Sequence, residues 1–148
     1  MPVWKMQEEA TAWWLLEAGH IVLTCGGGGI PVINENGYLN GINAVIDKDN
    51  ASSLLASELG AQRLIILTAV EKVAINFGKE NQQWLDAMSV TQAEEYIRQN
   101  QFAKGSMLPK VEAGIRFAKS GKGRIALITE LEKAAEGMAG KTGTIIYQ

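Results

Sequence analysis

Cysteine and histidine are almost missing from this chain: there is one of each in 148 residues. A single cysteine excludes an intrachain disulfide and any cysteine-based metal cage, and a single histidine removes the usual alternative ligand set. No sign of charge dominates, since 14 Lys and Arg face 16 Asp and Glu for a net charge of −2. Without a block of like charges there is no electrostatic footprint for nucleic acid. No apolar run approaches the roughly 20 residues that a bilayer requires. Met1-Pro2-Val3-Trp4-Lys5 has no basic stretch leading into an apolar one, so nothing reads as a secretory leader. These absences predict a cytoplasmic protein that meets neither nucleic acid nor membrane and builds no metal site of its own. What is present is ordinary for a globular domain, with 47% apolar and 20% charged residues. The length suits one domain, residues 1–148, with a real core.

One stretch stands out. The apolar run His20 to Thr24 drives into Cys25-Gly26-Gly27-Gly28-Gly29-Ile30-Pro31. Four consecutive glycines cost more backbone entropy than any other run of that length. Such a run is explained by something that approaches the backbone closely, often a phosphate held by main-chain N–H groups, or by a tight structural turn. It is not a Walker loop, because no Gly-Lys-Ser/Thr follows, and a hairpin rather than a helix comes after it.

Taken in order, Met6 to Ala18 predicts a helix ended by Gly19. Trp13-Trp14-Leu15-Leu16 wraps apolar surface round that helix at about 100° per residue, which fits either a helix between two layers or one that meets a partner chain. His20 to Thr24 predicts a buried strand, and Ile30 to Leu39 a hairpin about Asn36-Gly37. A helix is predicted from Asp49 to Leu59, capped by Asp49 or Asn50 and stopped by Gly60. Arg63 to Thr68 has the continuous apolar pattern of a central parallel strand, and Val73 to Asn76 is a second short strand. Thr91 to Asn100 predicts a helix with a Thr91–Glu94 capping box, and the stretch from Gly105 through Pro109 opens another that runs to Lys119. Strands at Arg124 to Thr129 and Thr144 to Tyr147 flank a short helix from Glu130 to Glu136. The alternation predicts an α/β three-layer sandwich: a mostly parallel sheet, helices on both faces and a small hairpin. Ligands of such sheets sit at the carboxyl ends of strands, where the glycine run, Asp47-Lys48-Asp49 and Thr68 to Lys72 all fall.

Two lysines draw attention. Lys48 lies between two acids at a helix start, where it is either part of a charged cap or a cation for a ligand. Lys110 also stands near a helix start, a mildly unfavourable place for a cation unless it faces an anion. Phosphoryl transfer asks for cations on the moving oxygens and for positioning, with little covalent chemistry. Of the remaining singletons, Cys25 reads as a buried structural thiol, His20 as a partly exposed edge residue, Trp84 and Tyr96 as packing residues, and Glu71-Lys72 as solvated.

Gly26-Gly27-Gly28-Gly29-Ile30-Pro31-Val32, Ala44-Val45-Ile46-Asp47-Lys48-Asp49, Ile66-Leu67-Thr68-Ala69-Val70-Glu71 and Gly105-Ser106-Met107-Leu108-Pro109-Lys110, in this order, resemble the carbamate kinases of the amino-acid kinase family. Gly140-Lys141-Thr142-Gly143-Thr144-Ile145-Ile146 is similar to that family's last strand. The resemblance runs from about Glu17 to Tyr147 and covers the nucleotide-carrying half of such an enzyme, while residues 1–18 look atypical. It implies phosphoryl exchange between carbamoyl phosphate and ADP, with Mg-ATP or Mg-ADP as the bound nucleotide. Lys48 and Lys110 resemble the lysines that neutralise the moving phosphoryl group, and Asp49 the aspartate that orients them. Thr68, Val70, Val73, Phe77 and Met107 fall where the family lines its nucleotide pocket, and Gly26 to Gly29 where the phosphoryl group nears the backbone. Gly114 and Ala69 depart from the pattern, which has alanine at the first and, in wider relatives, an acid at the second.

The resemblance implies a nucleotide-binding domain that does not catalyse alone, the half that seats the acceptor being outside the match. A truncated or engineered scaffold is the alternative, associating with itself or with a partner protein through Trp4, Trp13 and Trp14.

Overall fold

The computed structural model describes Met6 and residues 9–148. Helix α1 spans Glu9–Glu17, and Gly19 ends it in the left-handed region at φ +83°. Of its residues only Ala12 is buried; Trp13, Trp14, Leu15 and Leu16 are all exposed. His20 to Thr24 forms no strand, against expectation, and the Ile21 and Leu23 side chains stand 94% and 96% exposed. The reason is physical: β propensity records how a side chain fits a neighbouring strand, and among the described residues none lies alongside. The hairpin is as the turn chemistry demands. Strands β1 (Val32–Glu35) and β2 (Tyr38–Gly41) pair antiparallel, and Asn36 and Gly37 both take positive φ, +55° and +90°.

Helix α2 spans Lys48–Glu58. Its cap is Asp47, two or three residues before the predicted positions; the carboxylate accepts from the N–H of Asp49 at 2.9 Å and of Asn50 at 3.2 Å. That shift matters, because it leaves the Asp49 carboxylate available for another partner. Next come β3 (Arg63–Thr68), β4 (Val73–Ile75), β5 (Gln83–Leu85) and β6 (Ala87–Ser89). Helix α3 covers Val90–Arg98, and its capping box is Ser89 with Gln92 rather than Thr91 with Glu94. Helix α4 covers Met107–Lys119, β7 Ile125–Glu130, a 3₁₀ turn Leu131–Lys133, α5 Ala134–Met138 and β8 Thr144–Tyr147.

The main sheet runs β3-β7-β8-β6. The β3–β7 and β8–β6 junctions are parallel and the β7–β8 junction is antiparallel, so parallel pairing predominates. Along β7 the side chains alternate, with Ala126 and Ile128 in the core beneath α4, and Leu127 and Thr129 on the opposite face beneath α5. This is the three-layer arrangement expected. Gly114 brings α4 down on the sheet: a Cβ there would lie 2.7 Å from Cδ1 of Ile146. Helix α2 packs on α4, where the Ser53 hydroxyl donates to the Ala113 carbonyl at 2.9 Å. Every member of the buried core cluster lies between Leu64 and Ile146.

Candidate phosphate and nucleotide site

Packing of α2 on α4 brings the first turns of the two helices together. The Lys110 ammonium lies 2.9 Å from Oδ2 of Asp49, and both side chains are nearly buried, 12% and 10% exposed. Lys48 Nζ lies 3.8 Å from the same oxygen, with most of its side chain in solvent. Two ammonium groups thus share one carboxylate across a sequence separation of 61 residues. The N-terminal ends of two helices add positive potential at the same place. The sum is a cationic seat with one internal anion to fix its geometry, which suits a polyphosphate. A second tie between the helices, Arg116 Nη2 to Asn50 Oδ1, holds the arrangement from the side.

The glycine run meets this seat through the backbone. A Cβ on Gly28, whose φ is +138°, would lie 1.9 Å from the carbonyl oxygen of Ile46. The close approach that the glycines predict is therefore, at Gly28, the irregular segment that leads into Asp47 to Asp49. Gly28 N–H donates to the Cys25 carbonyl at 2.8 Å. Gly26, Gly27 and Gly29 have open space where a Cβ would stand, and among the described residues their N–H groups donate to no backbone carbonyl.

The expected nucleotide wall is spread over β3, an arm made of β4 and β5, and the start of α4. Thr68 closes β3, where it pairs with Glu130, and Val70 is half-buried in the turn that follows. The Val73 side chain is wholly buried in the core, so only its backbone can face a ligand. Phe77 is exposed and meets Trp84 edge-on, with ring centroids 6.2 Å apart. Met107 packs partly buried against the core. The Asn76 N–H donates to the Gln101 side chain at 2.8 Å, which ties the arm to the segment leading into α4.

Several minor readings change. Glu71 and Lys72 are not simply solvated: Glu71 accepts from the Thr142 hydroxyl, and Lys72 pairs with Asp86 at 2.6 Å. The hydrogen bond to Asp86 raises the Lys72 ammonium above its ordinary range. Trp84 is half-exposed rather than packed away, and Cys25 is half-buried with φ +64°. Trp13 and Trp14 are exposed on α1, and Trp4 lies outside the described residues. Sequence reasoning overlooked Thr144, which reads as one more strand threonine yet is fully buried and bonded at both ends. Among the described residues no three His, Cys, Asp or Glu side chains converge as metal ligands, and no helix is long and apolar enough to cross a membrane.

The sequence pattern of the amino acid kinase family matches residues 6–129. The chain belongs to the amino acid kinase family. The matched region begins at Met6 and so includes α1. A carbamate kinase-like protein of Escherichia coli is 62% identical over 141 residues, which are 95% of this chain and 46% of that protein. A carbamate kinase of Thermoplasma volcanium is 52% identical over 142 residues, 96% of this chain and 46% of its own length. The carbamate kinase of Giardia lamblia, solved bound to AMP-PNP, superposes with a TM-score of 0.92 at 37% identity, covering 97% of this chain and 45% of that one. The chain spans about half the length of these relatives.

Proposed function

We propose that this chain forms the nucleotide side of a carbamate kinase-like phosphotransfer site, and that it holds ADP or ATP with the phosphates on Lys48 and Lys110. The observation that carries the reading is the near-buried Asp49–Lys110 pair, with Lys48 on the same carboxylate oxygen. A cation that only capped a helix would have no reason to sit against a buried carboxylate from another helix. In this reading Asp49 fixes the direction of Lys110, and the more exposed Lys48 swings onto the phosphoryl group. The N–H groups of Gly26, Gly27 and Gly29, which among the described residues donate to no backbone carbonyl, are offered to the same phosphate, as phosphate-binding backbone is elsewhere. The arm carrying Phe77 and Trp84 offers aromatic surface to a base. Support comes from the family membership and from the relative solved with an ATP analogue.

Mg²⁺ belongs to this reading as a companion of the nucleotide, since the described side chains converge on no metal seat. When bound, it would neutralise phosphate oxygens that the lysines do not reach. In the direction carbamoyl phosphate plus ADP to carbamate plus ATP, the chain's lysines hold negative charge on the moving group while the P–O bond to carbamate breaks and that to ADP forms. Turnover requires both substrates to be positioned, so the activity proposed for this chain is binding, with the acceptor seated elsewhere.

Calorimetric titration with Mg·ADP tests the reading. Saturable binding below millimolar concentration is expected. Lys110→Ala or Lys48→Ala should each weaken it about tenfold, the scale of one charge-assisted hydrogen bond. No binding heat at millimolar Mg·ADP sinks the proposal.

A further inference from the structure

The Thr144 side chain sits where the main sheet hands over to the β4–β5 arm. It is fully buried, and its hydroxyl uses both of its capacities. The Oγ1 accepts the Val73 N–H at 2.8 Å and donates to the Leu85 carbonyl. Val73 and Leu85 are themselves cross-strand partners, the base pair of the arm. One residue on, the Ile145 N–H donates to the Asp86 carbonyl at 3.0 Å, where the chain rejoins the sheet. A hydroxyl therefore replaces the sheet's own hydrogen bonding at the point where the arm departs. On the other side, Thr68 is held by β3–β7 pairing with Glu130. Residues 69–72 thus form a short turn clamped at both ends, by the sheet at Thr68 and by Thr144 at Val73.

We infer that Thr144 is a positioning residue for nucleotide recognition: it sets the turn 69–72 and the arm beyond it against the base and ribose, without touching the ligand. The inference rests on the nucleotide-binding reading above and adds a residue to it. It separates two parts of the site. The phosphate seat hangs on the first turns of α2 and α4, to which the Thr144 hydroxyl makes no bond, whereas the base-facing wall hangs on Val73 and Leu85, which it does bond. The neighbouring contacts bind the same turn at two further places, Glu71 to Thr142 just before β8 and Lys72 to Asp86 between β5 and β6, so this turn has few degrees of freedom once the hydroxyl is in place.

The test uses two probes on three proteins. Mg·ADP reads the whole site and Mg·pyrophosphate reads the phosphate seat alone. Thr144→Val removes the hydroxyl at constant shape, and Thr144→Ser restores it. With Thr144→Val, Mg·ADP affinity is expected to fall about tenfold while Mg·pyrophosphate affinity stays within about twofold, and Thr144→Ser should recover most of the loss. Unchanged Mg·ADP affinity in Thr144→Val overturns the inference, as does an equal loss for both probes, which would mean general loosening. Should Thr144→Val fail to fold, amide exchange on the unaltered chain decides. Mg·ADP, and not Mg·pyrophosphate, should slow exchange across residues 69–73, and no slowing there overturns the inference. The two proposals fail differently. An unaltered chain that binds Mg·pyrophosphate but not Mg·ADP keeps the phosphate seat and loses the role of Thr144, whereas one that binds neither loses both.

Discussion

Residues 63–147 and residues 9–47 are built from similar stock, and they end in opposite conditions. The first region supplies the whole of the buried core cluster. In the second, only Ala12 and Gly28 are buried, while Ile21, Leu23 and Val45 are each more than nine-tenths exposed. Apolar content is therefore not what separates them. The difference is whether layers close over an element. Strand β7 has α4 above it and α5 below, and becomes regular. The run His20 to Thr24 has no strand beside it among the described residues and stays irregular. The hairpin β1–β2 persists with all eight residues exposed, because its Asn-Gly turn chemistry is local. Between the two regions stands α2, which joins the open part to the packed part through Asp49. The comparison predicts that damage at this joint spreads, and that damage beyond it does not.

The largest effect is expected at the joint itself. Asp49→Ala strands the nearly buried Lys110 ammonium without its partner, and should cost about 3–5 kcal/mol of stability. The paired change Asp49→Leu with Lys110→Met should cost much less than either single change, because it removes both charges from a mostly dry place. Chemical denaturation of the unaltered chain, Asp49→Ala, Asp49→Leu, Lys110→Met and the double change checks this. Additive costs would mean that the pair is solvated in solution, and the phosphate seat would lose its fixed geometry.

Next in size is Gly28→Ala. The added Cβ would overlap the Ile46 carbonyl, and φ of +138° suits glycine alone. A cost of about 1–3 kcal/mol follows if the loop belongs to the cooperative unit. The comparison says that it does not. Residues 20–46 should instead open locally, seen as faster amide exchange there, with the unfolding midpoint of the packed region unchanged. A fall in that midpoint would join the two regions into one unit.

The boundary between legible and illegible sequence follows the same line. Strands at Arg63, Ile125 and Thr144, and the helix to Lys119, stand within a residue or two of where their apolar patterns predict. Those patterns are strong because each of these elements packs a continuous apolar face into the buried core. Strands β5 and β6 were not legible, since three residues each, Gln83–Leu85 and Ala87–Ser89, carry no period. The strand expected at His20 was legible as composition and wrong as structure, because composition does not say what lies alongside. For the site, Lys48, Asp49 and Lys110 were marked by the family resemblance, not by spacing: 61 residues separate Asp49 from Lys110. Asp47 as the cap is a one-turn detail, yet it decides which carboxylate meets Lys110. Thr144 gave no signal at all. A buried threonine in a strand looks like any β-branched residue until its neighbours are known.

The smallest prediction turns on a second buried threonine that contrasts with Thr144. Thr129 is equally buried, but its hydroxyl finds no hydrogen-bond partner, and a Cβ on Gly137 or Gly143 would crowd its side chain. A buried hydroxyl without a partner has lost its water for no return. Thr129→Val keeps the shape and removes the unmet group, so it should stabilise the packed region by about 1 kcal/mol, or roughly 2–4 °C in Tm. Thr144→Val should move stability the other way, because there the hydroxyl satisfies an N–H and a carbonyl at once. Opposite signs for one chemical change at two sites on the same sheet would show that satisfaction, not burial, decides the value of a core hydroxyl here. A loss on Thr129→Val would mean that its hydroxyl is bonded after all, and would remove the contrast. Combined with Gly28→Ala, the Thr129→Val gain should remain whole, since changes in regions that unfold separately do not couple.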